Sequence, residues 1–343
     1  LRFAFIILLS IQASAVGAQT LGGSATYNFL KLPPSPLLSA VGGVNASYAL
    51  DDVGLASNNP AFLHQGLHSQ AGLSFNSYFA GVKAYNLAGA YHHDRLNTTL
   101  GGSVFFIDYG NIPQTDAAGN REGVFQPKDY VMQISAGREY GEKWQYGMTG
   151  KFIRSDYGQY RSSGLAFDVG VLYADSARQL LFGLLAKNMG VQLSTYSGQR
   201  EDLPFDVQVG VTKKLSKAPL GFSVTAHQIH QFDLVYEDTL FNSENNFSSN
   251  RSGFNKLFNH FVFATHIYLG NHLQLAIGYN RLRREELNLG GAGNGLNGFS
   301  GGINARFRKM HIQYARSYFQ RSYAYNQFGL NLMLNQLVGE GRL

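Results

Sequence analysis

Several short stretches of the sequence pair residue types with spacings that chemistry uses. Gly298-Phe299-Ser300-Gly301-Gly302 fits G-x-S-x-G, the turn that presents a nucleophilic serine. Gly293-Asn294-Gly295-Leu296-Asn297-Gly298 fits G-x-G-x-x-G, the loop that cradles a pyrophosphate. Among 10 histidines, His64 and His68 are four apart, His227 and His230 three apart, and His92 and His93 adjacent. A nucleophile, a phosphate site and a metal are therefore the chemistries to weigh. Each depends on a particular local element: a strand-turn-helix for the serine, a helix N-terminus after the glycines, a helix face or an ordered third and fourth ligand for the metal.

The surrounding residues do not supply those elements. The serine motif opens a glycine-rich strand with no helix behind it, and the glycine motif sits in a loop. His64 and His68 straddle the start of a strand, and His227 and His230 fall on opposite faces of one. His260 and His266 alternate in phase with Phe258, Val262, Ala264 and Tyr268, which is a strand face and not a catalytic pair. The reading is of a non-enzyme with no catalytic residues, no metal and no cofactor. With 0 cysteines, thiol catalysis and thiolate zinc sites are excluded.

What the chain does carry is strand periodicity. In "LHSQAGLSFNSYFA" Leu67, Ala71, Leu73, Phe75 and Phe79 share one face, and His68, Gln70, Ser74 and Asn76 the other. Period two marks a half-buried strand. Soluble strands have a mode of about 5–6 residues, whereas strands that cross a bilayer tilted need about 9–11. The segments here are long: 67–80, 82–92, 98–109, 130–140, 144–154, 164–174, 180–188, 205–214, 220–235, 257–269, 272–283, 298–308, 310–318 and 323–335. Connectors 93–97, 141–143, 175–179, 216–219, 270–271 and Lys309 are short. Connectors 110–129, 155–163, 189–204, 236–256 and 284–297 are long, with tight ones at Gly81 and 319–322.

Composition agrees. The 343 residues include 40 glycines, 25 phenylalanines and 20 tyrosines, and only 15% are charged. A mean hydropathy of -0.15 is what alternation of apolar and polar residues gives. The fold class is all-β: an even, 14-stranded antiparallel transmembrane β-barrel with a small N-terminal hatch or plug. Arg2, the apolar run Phe3–Leu9 and Val16-Gly17-Ala18 read as a signal peptide over 1–18, cut before Gln19. The expected organisation continues with an N-terminal segment and hatch over 19–66, the barrel over 67–335 and a tail over 336–343. Export argues for the outer membrane of a Gram-negative bacterium, with loops outside and both termini in the periplasm. The net charge of +6 lacks a dense basic stripe beyond Arg281–Arg284 and Arg306–Lys309, so nucleic acid is excluded as a partner.

Ahead of the first strand, "GGVNASYAL" and "DDVGLASNNPAFL" are small, then polar, then turn-like. Small residues suit a confined space. Asp51 or Asp52 can cap a short helical turn, and Asn58, Asn59 and Pro60 form a turn signal into the first strand. The expectation is a segment folded into the barrel as a plug. Strand glycines such as Gly101, Gly102, Gly137, Gly147, Gly170, Gly183, Gly210 and Gly301 would make room for it.

These residues also carry a resemblance. "GGSATYNFLKLPPSPLLSAVGG" (22–43), "LDDVGLASNNPAFL" (50–63) and "SFNSYFAGVKAYNLAGAY" (74–91) resemble the hatch and first hairpin of FadL-like outer-membrane barrels, which have fourteen strands. Within that group the chain is most similar to the PorQ branch and its PorV relatives, barrels of the type IX secretion system. The resemblance implies a non-enzymatic component of the attachment complex. Its partners would be a PorZ-like surface protein, with PorU and PorV, and outer-membrane lipid and lipopolysaccharide. The longest loop, 236–258, intersperses Leu240, Phe241, Phe247 and Phe254 among Asn and Ser, a composition suited to a partner interface or a lid. The alternative is a FadL-like transporter of hydrophobic small molecules. Inward residues Gln70, Ser74, Asn76, Gln133, Ser135, Asp168, Asp206 and Gln208 are polar, which favours the anchor over a greasy channel.

Overall fold

A computed structural model describes residues 25–234, 253–286, 295–320 and 323–337. Its strands are β1 (Gln70–Ser77), β2 (Lys83–His93), β3 (Thr98–Asp108), β4 (Ile112–Thr115), β5 (Arg121–Phe125), β6 (Lys128–Tyr140), β7 (Trp144–Tyr157), β8 (Tyr160–Asp175), β9 (Leu180–Ser194), β10 (Asp206–Lys214), β11 (Leu220–Ala226), β12 (Phe261–Leu269), β13 (Leu273–Asn280), β14 (Phe299–Arg306), β15 (Met310–Gln320) and β16 (Tyr323–Met333). All but β4 and β5 close into one antiparallel barrel of fourteen strands, in the order β1-β16-β15-β14-β13-β12-β11-β10-β9-β8-β7-β6-β3-β2. Closure is made by β1, which pairs with β16 from Gln70↔Met333 to Ser77↔Asn326. No edge is left to pair with another chain. β4 and β5 form a separate ribbon within the β3–β6 connector.

The alternation read from the sequence is the inside-outside pattern of the wall. Along β1, Gln70, Gly72, Ser74 and Asn76 are buried in the lumen, while Leu73 is 51% exposed on the outside. Leu87, Met132, Ile134, Phe167 and Val191 continue this apolar outer surface. Tyr91, Tyr140, Trp144 and Tyr146 are also exposed, and Trp144 packs on Tyr173 with ring centroids 5.0 Å apart. The apolar band with aromatic side chains beside the short turns is the outer face of a membrane-spanning barrel, and such barrels reside in outer membranes.

Several expected boundaries move. The connector expected over 155–163 shrinks to 158–159, because β7 and β8 run on to pair Tyr157 with Tyr160 around Gly158 (φ 65°). β11 stops at Ala226, not at 235. There Gln228 adopts φ 51° and its N–H donates to Asp206 Oδ1 (2.6 Å), turning the chain off the wall. β13 ends at Asn280, whose Oδ1 accepts from the N–H of Arg283 (3.0 Å) and starts the helix Arg281–Glu286. Leu67, placed by alternation on the outer face, is buried at the foot of the hatch, because the chain there is a helical turn, Gln65–Leu67, that precedes the strand.

The interior is filled by residues 25–69. The described chain begins at the loop end of the barrel, where Ala25 bridges Asp202 of the β9–β10 connector. It descends past Ser39, near Gln327 of β16, and reaches Tyr48 at the turn end, beside Gln274 of β13. It then folds back through Asn59 and Leu63 before leaving into β1. The hatch therefore traverses the lumen from the loop end.

Candidate functional site: the hatch and its seat

Three short hatch helices are set by local capping. In Pro36–Ala40, Pro36 stands in the first turn and Ser35 Oγ accepts from Leu37 N–H (3.2 Å). Asp52 Oδ1 accepts from Leu55 N–H (2.8 Å) and starts Val53–Ala56. Asn59 Oδ1 accepts from Ala61 N–H (3.0 Å) and starts Pro60–Phe62. The apolar residues of these turns, with Leu37, Leu38, Val41, Tyr48, Phe62, Leu63 and Leu67, form the main buried cluster. The hatch therefore carries its own small core into the barrel.

The wall receives it by omitting side chains. A Cβ on Gly183 would overlap the Ala46 carbonyl, one on Gly147 the Pro60 carbonyl, one on Gly170 the Asn59 amide and one on Gly278 the backbone at Val41–Gly42. Gly101 and Gly137 face Leu63. Gly102, by contrast, faces open space on the outer side, so it serves no seat.

Between the seats the contacts are polar. Ser74 Oγ donates to Pro34 O (2.6 Å), Asn45 Nδ2 to Ser223 Oγ (3.0 Å), and Asn280 Nδ2 to Gly42 O (3.0 Å). Lys187 Nζ donates to Asn58 Oδ1 (2.5 Å), and Asn59 Nδ2 donates to Ala46 O (3.1 Å), joining the two arms of the hatch. Asp52 is 1% exposed; its Oδ2 accepts from Asn331 Nδ2 (2.6 Å) and from Gln313. Burial raises the Asp52 carboxyl above the usual range against the pull of these hydrogen bonds. Asp51, at the turn end, pairs with His64 (2.9 Å). A hydrogen bond from His64 lowers the Asp51 carboxyl; burial opposes the charged imidazole, but the same bond, with the one His64 donates to Phe62 O, raises it.

The structure thus sets Asn58, Asn59 and Pro60 against β9, β8 and β7, seats Asp52 apart from them against β15 and β16, and leaves Asp51 at the rim. Of the loop residues, Phe254 lies in the helix Gly253–Phe258, is 71% exposed and stacks on Phe258. Leu240, Phe241 and Phe247 lie outside the described residues. The serine motif has a structural occupation: Ser300 Oγ donates to Ala40 O (3.1 Å), and Gly302 admits the Ala40 methyl. Sequence reading missed a buried ion pair in the wall. Lys151 Nζ meets Asp168 Oδ2 at 2.6 Å beside a bulge at Asn188 (φ 58°). Alternation signals both residues as inward, but it gives no cross-strand partner.

Cavities remain around the hatch. A vestibule of 590 Å³ at the turn end is lined by Tyr48, Lys214, Tyr268 and Arg306 among others. A cavity of 240 Å³ lies between hatch and wall at Lys187, Asp206 and Arg283. A cleft of 420 Å³ opens at the loop end beside Tyr27 and Asp129.

Comparison with family models finds no match, and comparison with curated proteins finds none either. Solved structures do match. The toluene transporter TbuX of Ralstonia pickettii superposes with TM-score 0.52 at 11% identity, over 89% of this chain and 98% of that one. The toluene transporter TodX of Pseudomonas putida gives 0.52 at 11%, over 86% and 95%. The monoaromatic hydrocarbon channel CymD gives 0.52 at 12%, over 89% and 97%. At such identities the likeness is one of fold alone.

Proposed function

We propose that the chain is a plugged outer-membrane barrel that works as an anchor, holding an exported partner at its loop end. This is the role implied by its resemblance to the PorQ branch of the type IX secretion system. The partner would be a PorZ-like surface protein, in company with PorU-like and PorV-like proteins. The observation that carries this reading is the seating of the hatch. Wall glycines at Gly147, Gly170, Gly183 and Gly278 are filled by hatch atoms, and the lumen-facing side chains of Ser74, Ser223 and Asn280 hydrogen-bond to the hatch. Opening a path would strand buried donors and acceptors, each costing about 1–3 kcal/mol. Gln70, Ser74, Asn76 and Gln208 make part of the lumen wall polar, and the apolar wall residues Phe105, Ile107, Val131 and Ile153 pack with Tyr27, Phe29 and Leu30 of the hatch.

The second reading is passage of hydrophobic small molecules. The comparisons lean toward it, because the neighbours that share the fold are toluene transporters and a monoaromatic hydrocarbon channel. The two readings separate in one experiment. The tagged barrel is purified from outer membranes in mild detergent, with mass spectrometry on co-eluting proteins and on extracted lipids. A stoichiometric large exported protein that is lost when 240–254 is deleted, with the barrel still folded, supports the anchor. A barrel without partner that carries one enriched hydrocarbon or fatty acid supports transport and sinks the anchor.

A further inference from the structure

The cleft at the loop end has a chemistry that neither reading uses. It is lined by five tyrosines, Tyr27, Tyr109, Tyr157, Tyr160 and Tyr196, with Phe29, and its one charged lining residue is Asp129. Four separate segments supply it. The start of the hatch brings Tyr27 and Phe29, the β3–β4 connector Tyr109, the β7–β8 turn Tyr157 and Tyr160, and the β9–β10 connector Tyr196. The rings support one another: Tyr157 lies 5.9 Å from Tyr109 and 5.8 Å from Tyr196, centroid to centroid. Tyr27 is fixed from behind by its hydroxyl contact to Ser162 Oγ (2.5 Å), which also accepts from Gln192 Nε2 (2.8 Å).

Asp129 is 2% exposed. Its Oδ2 accepts from the hydroxyls of Tyr109 (2.6 Å) and Tyr157 (2.8 Å). Its Oδ1 has the neutral Ser155 hydroxyl beside it, and no cationic side chain meets it among the described residues. Burial, and then the charge of Asp129, push the Tyr109 hydroxyl upward, so it stays a donor. The wider field is acidic. Glu201 acts on both Tyr27 and Tyr196, while the nearby guanidinium groups of Arg154 and Arg161 are taken up by Asp156. A buried carboxylate oxygen with only a neutral hydroxyl beside it, inside aromatic walls, is a costly arrangement unless something positive answers it.

We propose that this cleft is a socket for an alkylammonium group, with Asp129 Oδ1 and Ser155 Oγ receiving the cation and the tyrosine rings packing its alkyl stem. Aromatic rings attract a desolvated ammonium through their quadrupole, and a carboxylate adds a charge-assisted hydrogen bond. A neutral hydrocarbon would dehydrate the carboxylate without replacing its water. A hard metal ion would find one carboxylate where it needs several oxygen ligands. The ammonium could come from a small free amine or from a lysine side chain presented by a protein. The chemistry is the same, and it does not depend on whether the barrel anchors or transports.

The test is calorimetric titration of the purified full-length barrel in non-ionic detergent, with four probes: n-butylammonium, Nα-acetyl-lysine amide, its neutral Nε-acetyl counterpart, and a lysine-centred tripeptide. The expected result is binding of the cationic probes and at least about tenfold weaker binding of the neutral one. Asp129→Asn and, separately, Tyr196→Leu should each weaken the cationic probes by about tenfold. Tyr196 lies in a connector, so that variant remains informative if the strand substitution impairs folding. Equal affinity for butylammonium and lysine amide, with no gain from the tripeptide, assigns the socket to small amines. A gain from the tripeptide assigns it to a protein lysine. Equal binding of neutral and cationic probes, or cation binding unchanged in Tyr196→Leu and Asp129→Asn, overturns the proposal.

Discussion

Lys187 reaches inward from β9 and donates to Asn58 Oδ1 across 2.5 Å, tying the returning arm of the hatch to the barrel wall. Among the described residues no carboxylate forms an ion pair with that ammonium, although Asp206 of β10 stands opposite Lys187 in register. Asp168, the nearest inward acid on β8, is already engaged by Lys151 at 2.6 Å. The tether therefore joins a wall cation to a neutral hatch amide, and its two ends are not equivalent.

That asymmetry sets the first expectation. Asn58→Leu leaves a buried ammonium without its acceptor and should cost about 2–3 kcal/mol. Lys187→Met removes the charge but leaves the buried Asn58 Oδ1 without its donor, so it should cost about 1 kcal/mol, less than Asn58→Leu. Chemical unfolding of the purified barrel, followed by the shift in gel mobility between folded and heated forms, compares the two. Equal losses would show that the tether is not what holds this arm.

Glycine seats give the second. Gly183→Val drives a branched side chain into the Ala46 carbonyl, whereas Gly102→Val points outward into open space. Overpacking of this kind costs about 1–3 kcal/mol, and an outward change stays within about 0.5 kcal/mol. The wall has no need of the hatch to pair its strands, so the Gly183 variant should still form a barrel but lose its seating. Limited proteolysis within 44–63 and conductance across a planar bilayer should both rise in Gly183→Val and remain at the native level in Gly102→Val.

Asp52 carries a third. Its Oδ1 caps Val53–Ala56 and its Oδ2 receives Asn331 and Gln313. Asp52→Ala removes the cap and strands two amide donors, about 2–4 kcal/mol together. Asp52→Asn keeps a cap and sheds the buried charge, so it should be tolerated better. Burial, the largest influence, raises this carboxyl, so the native state holds the proton more tightly than the unfolded chain. Stability must then fall as pH climbs from about 3.9 through the raised native value. Asp52→Asn should remove that decline, which unfolding midpoints measured across the acid range will show.

How much of this was legible in the sequence follows from the range of each interaction. The barrel strands were readable because most of them alternate over a bilayer-crossing length, and alternation is a local property. Strand ends were less readable where a distant residue decides them, as Asp206 does by capturing the N–H of Gln228. The small residues of 42–57 announced a confined segment. Nothing local announced that Ala25 would meet Asp202 at the opposite end from β1. The cleft around Asp129 was invisible for the same reason. Its tyrosines are spread from Tyr27 to Tyr196, and abundant tyrosine in a barrel reads first as a membrane girdle.

The last expectation concerns pH at the rim, where Asp51 Oδ1 and His64 Nε2 lie 2.9 Å apart and His64 Nδ1 lies 2.8 Å from Phe62 O. A charged imidazole donates to both acceptors, and a neutral one can serve only one of them. His64 is raised by Asp51 and the Phe62 carbonyl in spite of burial, so its contribution is complete below the unfolded value of about 6.5 and is lost as pH rises through the higher native value. Asp51 is lowered, chiefly by the hydrogen bond from His64, so its contribution is present above about 3.9 and is lost as pH falls through the lower native value. The pair therefore steadies the junction between hatch and β1 from mildly acidic conditions to near neutrality, and releases it in alkali first. Amide exchange of residues 62–67, corrected for the intrinsic pH dependence of exchange, should lose protection above neutrality in the native chain and show no such step in His64→Ala. A step that persists in His64→Ala would assign the loosening to another group.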